Sequence, residues 1–148
     1  MSAARFGVVA ARAALATLAL GVGCGKVGPP RLPELAVPLE PAPVQVRNRS
    51  SGFEISFRRP RAYLDGVDLY DLGSFEVSRS CEPNPGFVPV ADIPVVDHER
   101  FQKQSRVTLV DFDPQPGQVC IYRVVAVTLD DYRSAPAEST PTLREVIP

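Results

Sequence analysis

The chain has no tryptophan, one methionine and one histidine among 148 residues. A cysteine nucleophile needs a base beside a low-pKa thiol. The only imidazole, His98, sits in the polar stretch "VDHERFQKQS", where it reads as a solvated loop residue. A zinc site asks for three or four Cys, His or carboxylate ligands at short spacings, and the three cysteines and His98 do not supply that pattern. No glycine-rich phosphate loop and no serine flanked as Gly-x-Ser-x-Gly occurs. No enzyme activity, metal or cofactor is therefore expected. Positive charge is also scarce, with 16 Lys and Arg against 17 Asp and Glu. A nucleic-acid binder needs clustered cations to neutralise phosphates, and the one dense basic group is Arg58, Arg59 and Arg61. It reads as a solvated face, and nucleic acid is not expected as a partner. Asp65, Asp68 and Asp71 recur at intervals of three, but an EF-hand loop needs oxygens at alternate positions and a closing glutamate. They read as turn residues, as do Asp130 and Asp131.

No apolar run is long enough to span a bilayer, which takes about 20 residues. The longest, "AALATLALGVG" at residues 13–23, follows Arg5 and Arg12 with no acidic residue before it, the layout of an export signal over residues 1–23. Gly21, Val22, Gly23 and Cys24 resemble the lipobox of bacterial lipoproteins, which implies cleavage before Cys24 and its lipidation. Gly21 and Gly23 also fit the small-x-small pattern of ordinary signal peptidase, which would leave a soluble periplasmic protein with an unmodified Cys24. The following "CGKVGPP" resembles the Cys-Gly-x-Lys-Gly-Pro start of small outer-membrane lipoproteins, some of which assist the lipopolysaccharide translocon.

Proline, with 16 residues, is plentiful, and Pro29, Pro30, Pro33, Pro38, Pro41 and Pro43 fall close together. No helix or central strand tolerates that density, so residues 24–43 are expected to form an unpacked linker. Extended as polyproline II, residues 25–43 would reach on the order of 50 to 60 Å.

From Val44 onward short apolar alternations are broken by turn residues, which predicts an all-β domain over 44–148. In "VCIYRVVAV" the period of two places Cys120, Tyr122, Val124 and Ala126 on one face and Val119, Ile121, Val125 and Val127 on the other, as in a central strand. "GFEISFRRP" turns Phe53, Ile55 and Phe57 inward and Glu54 and Ser56 outward. "SFEVSRS" alternates Phe75 and Val77 with polar residues. "FVPVADI" reads as an edge strand because Pro89 lacks a donor. In "RVTLVDF" the pattern leaves open whether Val107 and Leu109 or Val110 and Phe112 face the core.

In their order these pieces resemble a fibronectin type III domain over roughly residues 41–147. "FEISFRRP" is similar to that family's second strand, with Phe57 in place of its core tryptophan. "DGVDLYDLGSFEVSRS" is similar to the loop and third strand, "PGQVCIYRVVAV" to the sixth strand, and "DDYRSAPAESTPTL" to the closing turn and last strand. The resemblance implies a seven-stranded immunoglobulin-like sandwich after a signal peptide and Pro-rich tether. It also places Cys120 where the family has its corner tyrosine. Because the third and sixth strands are antiparallel neighbours in that fold, the resemblance further implies a disulfide between Cys81 and Cys120. Such a bond suits an oxidising compartment and would leave Cys24 as the one cysteine for lipid; two buried free thiols are the alternative.

The function expected from these features is an outer-membrane-anchored lipoprotein presenting a non-catalytic interaction module in the periplasm or on the cell surface. Its partners would be the membrane, through the anchor, and an envelope protein or polysaccharide. The alternatives are an envelope assembly factor acting through its lipidated start, and a soluble binding module. Binding would go through the loops at 61–73, with Tyr63 and Tyr70, and 129–133, with Tyr132. Packing against the end of the sandwich is an equal expectation for Tyr70.

Overall fold

Alternation of apolar and polar residues decides which strand faces turn inward, and the computed structural model, which describes residues 32–41, 43–96 and 106–147, shows the outcome. The chain divides into two units, Met1–Pro30 and Arg31–Pro148. The leader, Cys24 and His98 lie outside the described residues. The strands are β1 (Gln45–Arg49), β2 (Gly52–Arg58), β3 (Leu72–Cys81), β4 (Asn84–Pro94), β5 (Arg106–Asp111), β6 (Val119–Thr128), β7 (Ala137–Glu138) and β8 (Thr142–Leu143). One sheet has the order β1-β2-β5; the other has β4-β3-β6-β7, with β8 also on β6. Every pairing is antiparallel.

The strands β7 and β8 are two pieces of one last strand. Arg123 pairs with Glu138 and Cys120 with Thr142, so the register slips by one residue between them. At the break the Tyr122 N–H donates to Ser139 Oγ at 3.0 Å and the Ser139 N–H donates to the Tyr122 carbonyl at 2.8 Å. Counted this way the sandwich has its seven strands.

The inward residues of β2 (Phe53, Ile55, Phe57), β3 (Phe75, Val77) and β6 (Cys120, Tyr122, Val124, Ala126) make the buried core. Phe57 meets Phe75 edge-on at 5.0 Å and Phe53 meets Tyr122 edge-on at 6.0 Å, so aromatic pairs bridge the sheets. In β5 the open alternative resolves in favour of Val107 and Leu109, which pack on the core while Val110 and Phe112 are exposed. β4 is an edge strand, as Pro89 requires, and most of its residues are exposed.

Ser56 and the strand β1 depart from simple alternation, and one reading is corrected. Ser56 faces outward as expected but is only 6% exposed, because it sits in the middle strand of its sheet between Gln45 and Thr108. The strand β1 carried no strong pattern, since Gln45, Arg47 and Arg49 outnumber its one apolar inward residue, Val46. The described part of the proline-rich segment is also packed rather than free. Pro33–Leu35 form one 3-10 turn, Pro38 bridges to Tyr63, and Pro38 and Pro41 are among the fully buried side chains. The Leu39 N–H donates to Ala62 and the Leu64 N–H to Val37, so proline here gives up little by lacking its own donor.

Cys81 and Cys120 are directly paired across β3 and β6 and are joined in a disulfide, with Cα atoms 4.1 Å apart and a sequence separation of 39. A loop of that size corresponds to about 4 kcal/mol in the chain-entropy model, as an upper figure. Replacing both cysteines by serine is expected to lower the unfolding free energy by up to that amount in urea titrations. An unchanged midpoint, or two free thiols in the unreduced protein, would contradict this.

Candidate functional site

The loop between β2 and β3 and the hairpin between β6 and β7 meet at one end of the sandwich, tied by the Leu129 N–H donating to the Asp71 carbonyl at 2.8 Å. Three expected binding tyrosines lie here, and they divide. Tyr63 is completely buried. Pro38 lies along it, its hydroxyl donates to Asp71 Oδ1, and its ring meets Tyr70 edge-on at 5.6 Å. A binding role for Tyr63 is thus corrected to a structural one: it is the pier on which the loop rests. Tyr70 is 61% exposed, and Tyr132 is half-buried.

The loops of this end carry other exposed apolar side chains, Leu39, Leu64, Val67 and Leu129. Local chemistry fixes the loops that present them. Asp65 Oδ1 accepts from the Val67 N–H two residues on, at 3.0 Å, an aspartate-built turn. In the hairpin the Asp131 N–H donates to Thr128 and the Thr128 N–H to Tyr132, with Asp131 in the left-handed region at φ 66°, which aspartate tolerates better than most residues. The rim is acidic, with Glu40, Asp65, Asp68 and Asp130 exposed.

The opposite end is locked instead of open. Arg79 pairs with Tyr122 across β3 and β6, one inward position along from the disulfide. Asp111, at the end of β5 in the other sheet, takes both: Tyr122 Oη donates to Oδ2 at 2.8 Å and Arg79 Nη1 donates to the same oxygen at 2.5 Å. The Asp113 N–H donates to Oδ1 at 3.2 Å, and Arg79 Nη2 reaches Asp113 Oδ2 at 3.2 Å. The Asp111 side chain is only 3% exposed, so this carboxylate depends on its partners. Gly52 makes the close approach possible, since a Cβ there would fall 2.1 Å from the Asp111 carbonyl oxygen. Arg144 completes this end. It is buried, and its Nη atoms donate to the carbonyls of Arg49, Ser50 and Glu145 and to Asn48 Oδ1.

Tyr122, two residues after Cys120, reaches back to Asp111 with its hydroxyl. Sequence reasoning missed Asp111 and Arg144. For Asp111 the signal was present: if Val107 and Leu109 face inward, the period of two carries Asp111 inward as well. For Arg144 there was none.

These environments leave a signature in pH. Burial first, then the hydrogen bond and charge of Asp111, push the Tyr122 phenol far above its ordinary 10.0, with Arg79 pulling the other way. Burial and Asp71 do the same for Tyr63. Burial opposes the charge on Arg79, but Asp111 outweighs it and holds the guanidinium above its ordinary range. Because the folded state keeps Tyr63 and Tyr122 protonated while the unfolded chain would lose those protons near pH 10, their contribution is complete below about pH 10 and is lost as pH rises above it. Unfolding free energy is therefore expected to fall with rising pH above that point, and Tyr122→Phe to make the fall shallower. An unaltered slope would contradict the assignment.

No protein-family model matches the chain, and no curated protein matches it. Among solved structures it is similar to the twitchin kinase region from C. elegans (Fn31-NL-kin-CRD-Ig26), at TM-score 0.52 and 13% identity over 74% of this chain and 17% of that one. It is similar at TM-score 0.52 and 19% identity to domains A168–A170 from titin, over 74% of this chain and 32% of that one. A weaker similarity, TM-score 0.45 at 13% identity, is to the third fibronectin III domain of human KIAA0343 protein. The chain thus spans less than a third of the length of the first two. Identities this low speak to fold alone, and the fold of the described residues is an immunoglobulin-like sandwich of the fibronectin type III kind.

Proposed function

We propose that this chain is a non-catalytic interaction module held at the bacterial outer membrane by a lipid on Cys24, with its domain in the periplasm or at the cell surface. The observation that carries the interaction reading is the set of exposed apolar side chains on the loops at one end of the sandwich, Tyr70, Leu64, Val67 and Leu129. Exposed apolar residues gathered within a polar rim are a common mark of a protein contact.

The anchor reading is supported by the sequence around Cys24. The segment that follows is fastened to the loop end at Val37, Pro38 and Leu39. The packing of residues 37–41 also favours the leader and the domain acting together over a leader that acts alone.

Radiolabelled palmitate is expected to enter the wild-type chain and not Cys24→Ala, and the variant is expected to leave the membrane fraction. Label in both, or in neither, would sink the anchor. For the contact surface, Tyr70→Ala and Leu129→Ser are expected to release a partner crosslinked to the wild type while leaving the unfolding free energy in urea within about 0.5 kcal/mol, as for surface substitutions. Retention of the same partner by both variants would remove the loop end from consideration.

A further inference from the structure

The outer face of the three-stranded sheet carries a charge arrangement that the fold does not explain. Arg58 at the end of β2 and Arg106 at the start of β5 are direct partners in the antiparallel ladder, and both are exposed. Partner residues in such a ladder stand about 4.5 to 5.5 Å apart at Cα, and like charges placed directly opposite are destabilising. Three other strand arginines meet carboxylates: Arg49 with Glu54, Arg79 with Asp111, and Arg123 with Glu138; Arg47 faces Glu54 across the ladder. The side chains of Arg58 and Arg106 make no ion pair or hydrogen bond among the described residues.

The next inward rung on the same face is polar. Ser56 lies between Gln45 on β1 and Thr108 on β5. Ser56 is 6% exposed, and its hydroxyl has no hydrogen-bond partner among the described residues. A pocket of about 230 Å³ opens there, lined by Pro43, Gln45, Ser56, Phe57, Arg58 and Arg106. Two guanidiniums that repel one another, beside a serine hydroxyl and a glutamine amide, put several donors around a pocket whose lining holds no carboxylate.

We propose that this pocket binds a tetrahedral oxyanion, a phosphate or phosphate ester, with Arg58 and Arg106 as its charge-bearing donors and Ser56 and Gln45 as neutral ones. Guanidinium forks match the oxygens of phosphate geometrically. An anion between them turns the mutual repulsion of the pair into attraction. The site is separate from the loop end and does not depend on the interaction reading or on the anchor.

Thermal unfolding of the full-length chain in inorganic phosphate, against chloride at equal ionic strength, tests the site through the stabilisation that a ligand of the folded state confers. Phosphate is expected to raise the midpoint of the wild type. Arg58→Gln and Arg106→Gln are each expected to weaken phosphate binding at least tenfold, whereas Arg47→Gln, on the same face opposite Glu54, leaves it unchanged. In chloride alone the two variants are expected to be as stable as the wild type or more so, which a merely structural role for the pair would not produce. Vesicles separate the sources of the anion, using the Cys24→Ser chain so that no acyl group can hold it. Retention on phosphatidylglycerol but not phosphatidylcholine vesicles, lost in Arg58→Gln, assigns the anion to a lipid headgroup; a response to inorganic phosphate alone assigns it to a free phosphate or ester. Equal midpoints in chloride and phosphate with no vesicle retention, or full binding by both arginine variants, would overturn the proposal.

Discussion

One carboxylate joins the two sheets. Asp111 comes from the end of β5, and the groups that donate to it, Arg79 and Tyr122, come from β3 and β6 of the facing sheet. A charge so deeply placed is destabilising unless it is paired and hydrogen-bonded, and removal of one member of a buried pair typically costs about 3 to 5 kcal/mol. That is comparable with the upper figure of about 4 kcal/mol for the neighbouring disulfide. The two devices do different jobs. The disulfide ties β3 to β6 within one sheet, whereas Asp111 ties that sheet to the other, which no covalent bond does among the described residues.

With this end locked, the other is left free to vary. Arg144 and Asn48 hold the last segment of the chain against the turn between β1 and β2, so both the last strand and the first hairpin are fixed close to Asp111. At the far end the loops rest on Tyr63 and on the packed prolines Pro38 and Pro41. Their tips carry apolar side chains that nothing among the described residues covers. Loops supported by a rigid scaffold are where folds of this kind place recognition. The apolar side chains that these loops present are what make an interaction module the natural reading, rather than the likeness of the fold to any other protein.

Much of the architecture could be read from the residues because burial in a sandwich follows the period of two. Phe53, Ile55 and Phe57, and Cys120, Tyr122, Val124 and Ala126, fell on one face of each strand and are buried there. The edge position of β4 followed from Pro89 alone. The illegible parts are those in which a polar residue is buried or a proline is packed, since composition assigns both to the surface. Tyr63 looks like any loop aromatic until Val37–Leu39 is seen lying across it. Arg59 shares a basic triplet with the exposed Arg58 and Arg61 yet is only 6% exposed. The facing of Arg58 by Arg106 depends on a register between distant strands, which no local pattern encodes.

The account rests most heavily on Asp111 and Tyr122 acting as one unit across the sheets, and a double-mutant cycle measures that coupling directly. Asp111→Asn and Tyr122→Phe, alone and together, would be compared by urea unfolding. A shared hydrogen bond in a buried network predicts an interaction energy of about 1 to 3 kcal/mol, the double variant losing less than the sum of the single losses. Losses that add to within about 0.5 kcal/mol would contradict it, for the two residues would then be neighbours without being partners.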